Sequence, residues 1–104
     1  MINPKTRELL KKIYKCPGLF LGKKTFNGLA DLLSAYEMGL GEYEGGYKDS
    51  FFEFQEFVEK HYEIQPPQWG HHWSKYISFF SHTEENAFDV FYKLLEEFSG
   101  EKFS

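Results

Sequence analysis

The sequence predicts an all-α fold: a single compact domain over residues 1–104, with about five helices around an aromatic-rich core. Three observations carry this. Apolar residues recur at spacings of three and four in separate runs, the period of a helix face rather than a strand. Capping residues and Gly or Pro breakers stand between the runs. Valine and isoleucine are few, and no stretch sustains the alternation of a strand. Aromatic residues make up 20% of the chain, so a domain this small can bury a large area without a disulfide or metal staple.

The first helix is expected to open with Asn3 as N-cap and Pro4 at its first position, where a missing N–H costs nothing. Leu9, Leu10, Ile13 and Tyr14 form its stripe, and Pro17-Gly18 forces an end near Cys16. Residues 18–22 read as a buried apolar connector. Thr25 can cap a second helix carrying Phe26, Leu29, Leu32, Leu33, Tyr36 and Leu40, with Gly39 and Gly41 as its stop. A glycine-rich loop follows over 41–48; it carries acids and lacks the lysine and threonine of a phosphate loop. Ser50 and Glu53 fit a capping box for a third helix, with Phe51, Phe54, Val58 and His61 on its stripe and Phe57 and Tyr62 widening it. A Gln-Pro-Pro-Gln break over 65–68 separates it from a short helix near His72–Ser81, which groups Trp73, Tyr76, Ile77 and Phe80. Thr83 or Ser81 caps the last helix, with Ala87, Phe88, Phe91, Leu94, Leu95 and Phe98 at helical spacing and Gly100 as its stop.

Charge is segregated along the chain. Residues 1–24 hold seven cations against the single acid Glu8, whereas residues 37–63 hold eight acids against Lys48 and Lys60. Aromatics fill the spaces between those acids. Such a surface suits capture of a basic protein partner and repels nucleic acid and anionic membrane. The expected partner face comprises Glu42, Tyr43, Glu44, Tyr47, Asp49, Glu53, Glu56 and Glu59. Tyr43, Tyr47 and Trp69 stand in glycine- or proline-rich stretches, where a ring serves either as a binding anchor or as a lid on the core edge.

Catalytic and metal chemistry find little support. His71 and His72 are adjacent and point to different faces, and one cysteine is too few for a paired-thiolate site, so surface or capping roles are expected for the histidines. Cys16 ends a helix, where the dipole disfavours a thiolate, and is expected to be a buried thiol. Pairs such as Glu84-Glu85 and Glu96-Glu97 fall where a solvated helix face is expected. No enzyme, cofactor or metal is therefore expected. A lone cysteine fits a reducing cytosol, no apolar run is long enough to cross a membrane, and the basic N-terminal segment is interrupted by charge too often for a signal peptide.

Two segments carry a family resemblance. One runs Cys16-Pro17-Gly18-Leu19-Phe20-Leu21-Gly22-Lys23-Lys24-Thr25-Phe26-Asn27-Gly28-Leu29, followed by Ala35-Tyr36-Glu37. The other is Phe51-Phe52-Glu53-Phe54-Gln55-Glu56-Phe57-Val58, followed by Trp73-Ser74-Lys75 and the run Phe79 to Leu95. Their order resembles the helical immunity proteins of contact-dependent growth inhibition and related bacterial polymorphic toxin loci, from about Pro17 to Phe98. The resemblance implies a cytoplasmic monomer that binds one cognate toxin domain in a 1:1 complex and covers its active site. It implies a basic toxin such as a nuclease, including ribonucleases of pancreatic-ribonuclease fold, and it brings no catalytic residues with it. A basic nuclease cleft and an acidic plug are electrostatically complementary, which agrees with the charge pattern. The runner-up is an acidic helical adaptor or regulator that binds some other basic protein.

Overall fold

The computed structural model describes residues 2, 4–43, 51–65 and 70–103; the side chains at 40–43 and 52 fall outside that set. Six helices occur among the described residues: α1 (Pro4–Lys15), α2 (Pro17–Leu21), α3 (Phe26–Tyr43), α4 (Phe52–His61), α5 (Trp73–Phe80) and α6 (Glu84–Ser99). The described residues contain no strand, and no described helix is long and apolar enough to cross a membrane. The all-α expectation holds.

α6 is the central element and packs against α3, α4 and α5. Its limits follow from its sequence. Thr83 Oγ1 accepts from the Asn86 N–H at 2.9 Å, which satisfies one of the orphan donors of the first turn. Glu84 and Glu85 place negative charge at the positive end of the dipole. At the other end Gly100 turns left-handed (φ 74°) and its N–H closes on the Glu96 carbonyl at 2.9 Å. Glu84 also accepts from the Asn27 N–H of α3 at 3.3 Å, so one helix caps the first turn of its neighbour.

The core is a knot of rings. Phe26 of α3, Phe54 of α4, Trp73 of α5 and Phe91 of α6 are all buried. Trp73 stacks on Phe91 at 5.1 Å and meets Phe54 edge-on at 5.2 Å, while Phe26 lies 5.8 Å from Phe91. Each of these four helices thus contributes a ring to the knot, and such pairs add about 0.5–1.5 kcal/mol each beyond the area they bury. Leu29, Leu33, Ile77, Leu94 and Leu95 fill the space around them.

α1 docks through Leu10 and Ile13, with Thr6 buried beside them. Two polar contacts fix its register. Tyr92 of α6 donates its hydroxyl to the Leu10 carbonyl at 2.7 Å, and Thr6 Oγ1 donates to Glu37 Oε2 of α3 at 3.0 Å. Glu37 is only 4% exposed, and among the described residues its Oε1 has no hydrogen-bond partner. The tail folds back: Phe103 is buried and its N–H donates to Glu96 Oε2 at 2.8 Å.

Several local expectations need correction. Residues 18–22 are not a buried connector, because Pro17–Leu21 form α2 and Leu19 is 80% exposed. Pro17 sits at a first-turn position and Gly22 supplies the positive φ that ends the turn, so the same residues that break α1 make α2. Cys16 is exposed, since it is the hinge between those helices. Gly39 and Gly41 do not stop α3, which continues to Tyr43; a helical glycine costs only about 1 kcal/mol, which the packing of the helix's apolar face offsets. Phe51, not Ser50, is the residue preceding α4, and it makes no side-chain cap; Ser50 lies outside the described residues, as does Asn3. His61 is exposed and Phe80 is half exposed, so neither belongs to the core.

Tyr92 makes the fold sensitive to alkali. Burial, and then the neighbouring Tyr14, push its hydroxyl well above the ordinary value of 10.0. The native state therefore keeps the proton while an unfolded tyrosine releases it near pH 10, so the contribution is complete below pH 10 and shrinks above it. Stability should fall by up to about 1.4 kcal/mol per pH unit beyond that point. Tyr92→Phe should cost about 1–2 kcal/mol at neutral pH through the lost bond to Leu10, yet show a shallower alkaline decline. Urea melts between neutral pH and pH 11 check this; parallel declines would remove Tyr92 as the cause.

Candidate functional site

α4 presents the acids that the sequence singles out. Glu53 and Glu56 are exposed and Glu59 is partly so. The structure does not gather all three. Glu56 and Glu59 line one shallow depression of about 360 Å³, together with Glu63 and Lys60. Glu53 instead borders a separate hollow with Arg7, Phe98 and Glu101, where Arg7 Nη1 lies 3.3 Å from Glu101 Oε1. The backbone of Glu42 and Tyr43 ends α3; their side chains lie outside the described residues, and Glu44, Tyr47, Asp49 and Trp69 lie wholly outside them.

The end of α4 adds residues that sequence reasoning missed. Tyr62 is its C-cap, and the Glu63 and Ile64 N–H groups close on the Lys60 and Glu59 carbonyls at 3.2 and 3.0 Å. This closure needs a left-handed residue, normally glycine, and Glu63 takes it with φ 52°. A non-glycine residue there costs about 1–2 kcal/mol. The turn brings Glu63 to the depression that Glu56 and Glu59 line, and sets Glu63 and Ile64 on its border with the neighbouring concavity.

That concavity, about 420 Å³, lies between the end of α4 and the outer side of α5. Its apolar wall is Tyr62, Tyr76, Phe79 and Phe80, and His71 and Lys75 stand at its rim. Tyr62 stacks on Phe80 at 4.6 Å and 11°, and Phe79 meets Phe80 edge-on at 5.0 Å. Phe79 is 81% exposed and Phe80 50%. Partial burial raises the Tyr62 hydroxyl pKa above its ordinary value. Glu63 and Ile64 border both hollows, which makes the acidic depression and the aromatic concavity one continuous surface.

Gln55 holds this corner together. Its Nε2 donates to the His71 carbonyl at 2.9 Å, and its Oε1 accepts from the Trp73 N–H at 2.8 Å. Both bonds grip the entry to α5. His72 completes the entry as N-cap, its Nδ1 accepting from the Ser74 N–H at 3.3 Å. The capping role expected for the histidines is thus filled by His72, while His61, His71 and His82 are exposed. Among the described residues no group of three His, Cys, Asp or Glu side chains could hold a metal ion.

The aromatic part had a signal in the sequence. Phe79 and Phe80 are adjacent, so about 100° of helix separates them, and a stripe of Trp73, Tyr76 and Ile77 already fills the core side. Glu63 had none, since nothing local marks it as left-handed. Comparison with family models, with curated proteins and with solved structures found no match to this chain.

The strained turn gives a direct test. Glu63→Gly should stabilise the protein by about 0.5–1 kcal/mol, the relief of the left-handed backbone less the entropy glycine adds to the unfolded chain. A denaturant midpoint lower than wild type would mean that the carboxylate itself supports the fold.

Proposed function

We propose that this protein captures a basic protein domain and that its biological form is neutralisation of a cognate bacterial toxin domain, in the manner of the helical immunity proteins it resembles. One observation carries the reading: three carboxylate residues, Glu56, Glu59 and Glu63, line a depression that shares Glu63 and Ile64 with an aromatic concavity whose outer ring, Phe79, is 81% exposed. Soluble proteins seldom leave such rings together in contact with water unless a partner covers them. Charges outside the contact core act through steering and orientation, whereas buried rings hold the complex once formed. A nuclease needs a cationic cleft for phosphate, so an acidic plug competes for the same field. The chain acts in this reading as a cytoplasmic monomer in a 1:1 complex that occludes the toxin's active site, with no cofactor and no chemistry of its own.

Two classes of substitution separate the parts of the surface. Reversing Glu56 and Glu59 to lysine should slow association with a cognate toxin domain by about tenfold at low salt and flatten its salt dependence. Phe79→Ala should leave association nearly unchanged and speed dissociation by about tenfold. Glu56 and Phe79 are exposed and Glu59 partly so, and none belongs to the core, so circular dichroism should be unaffected. Stopped-flow binding at two salt concentrations, alongside inhibition of the toxin at equimolar ratio, measures this. Unchanged rates for both variants would remove this surface from the interface. Binding without inhibition would favour the adaptor reading.

A further inference from the structure

A second surface lies elsewhere, at the hinge between α1 and α2. No acid occurs between Glu8 and Asp31, while Lys11, Lys12, Lys15 and Lys23 all fall in that stretch. Lys12, Lys15 and Lys23 are exposed. Between them α2 lifts apolar side chains into water: Leu19 is 80% exposed and Phe20 37%. A Cβ built at Gly18 or Gly22 would meet nothing within 4 Å, so open space flanks the backbone on both sides of Leu19. Phe20 also borders a hollow lined by Lys5 and Lys12 with the single acid Glu8.

We infer that this tip docks on an anionic phospholipid surface, with Leu19 and Phe20 entering the headgroup region and Lys12, Lys15 and Lys23 paired with lipid phosphates and carboxylates. Lysines around exposed apolar side chains are the combination that holds peripheral proteins at a charged leaflet. Shape favours a bilayer over an acidic protein. A protruding leucine on a five-residue helix needs a preformed pocket in a rigid partner, whereas an interface yields around it. The chain's net charge of −4 makes approach by this tip the attractive orientation and keeps binding weak and reversible. The sequence-based expectation of no membrane contact rests on the acidic middle of the chain, and the fold places these cations on α1 and on the turn after α2, off the acidic α4. Leu19 lines neither hollow on α4 and α5, so toxin capture and lipid docking stand or fall separately.

Co-sedimentation with phosphatidylcholine vesicles, with and without phosphatidylserine, tests the inference on the full chain. Wild type should pellet only with the phosphatidylserine vesicles and should be released as salt shortens the screening length. Leu19→Asp should weaken binding by about tenfold, and Lys12→Glu with Lys15→Glu should abolish it, with circular dichroism unchanged in both. The single cysteine, Cys16, is exposed beside the tip, so a polarity-sensitive dye there should shift to the blue on the same vesicles. Equal binding to both vesicle types, or wild-type binding by Leu19→Asp, overturns the proposal. Capture of poly-glutamate without any vesicle binding also overturns it and assigns the tip to an acidic macromolecule.

Discussion

The stacking of Trp73 on Phe91, with Phe54 and Phe26 closing around the pair, is the contact on which the rest of this structure depends. It joins α3, α4, α5 and α6 through one side chain each, and all four rings are withdrawn from water. An aliphatic core of this size needs many interdigitating side chains to set helix orientations. Here a few large planar rings do so, because each has few rotamers and a preferred contact geometry. The other fixings are secondary and polar. Tyr92 pins α1 to α6, and Thr6 pins it to α3 through Glu37.

The candidate surface follows from that knot. Trp73 opens α5, so burying it leaves the far end of an eight-residue helix to project Phe79 and Phe80 outward. Gln55 then ties α4 to the same entry through two hydrogen bonds, which fixes the distance between the acidic turn at Glu63 and the exposed rings. The left-handed Glu63 completes the corner: the backbone accepts strain and the carboxylate is delivered to the edge of the concavity. Strain of this kind persists only where surrounding structure imposes it. The Tyr62–Phe80 stack on one side and the two closing hydrogen bonds on the other supply that imposition.

Much of this was legible in the residues. Thr83, Gly100 and Pro4 mark helix limits through local chemistry that tertiary context does not change, and the period of Phe88, Phe91, Leu94 and Leu95 names the buried side of α6. Glycine was the weaker guide. Gly39 and Gly41 sit inside α3 because packing upstream outweighs their small cost, while Gly22 does end a helix because its backbone turns left-handed. Periodicity also cannot rank two candidate faces of a short helix, so spacing alone groups Phe80 with Trp73 although Phe80 is half exposed. The acidic run illustrates the same limit: neighbours in sequence, Glu53 and Glu56 border different hollows, and Glu63 joins Glu56 and Glu59 through a left-handed backbone conformation.

If the ring knot is a single unit, α5 cannot open without α6. Native-state hydrogen exchange in increasing denaturant reads this amide by amide. The account predicts that the amides of Tyr76 and Ile77 in α5 exchange with the same opening free energy as those of Phe91 and Leu95 in α6, equal to that of global unfolding. A separate, lower-energy opening confined to α5 would contradict it, and would mean that the corner bearing Phe79 and Glu63 is held by Gln55 and local capping instead of by the aromatic core.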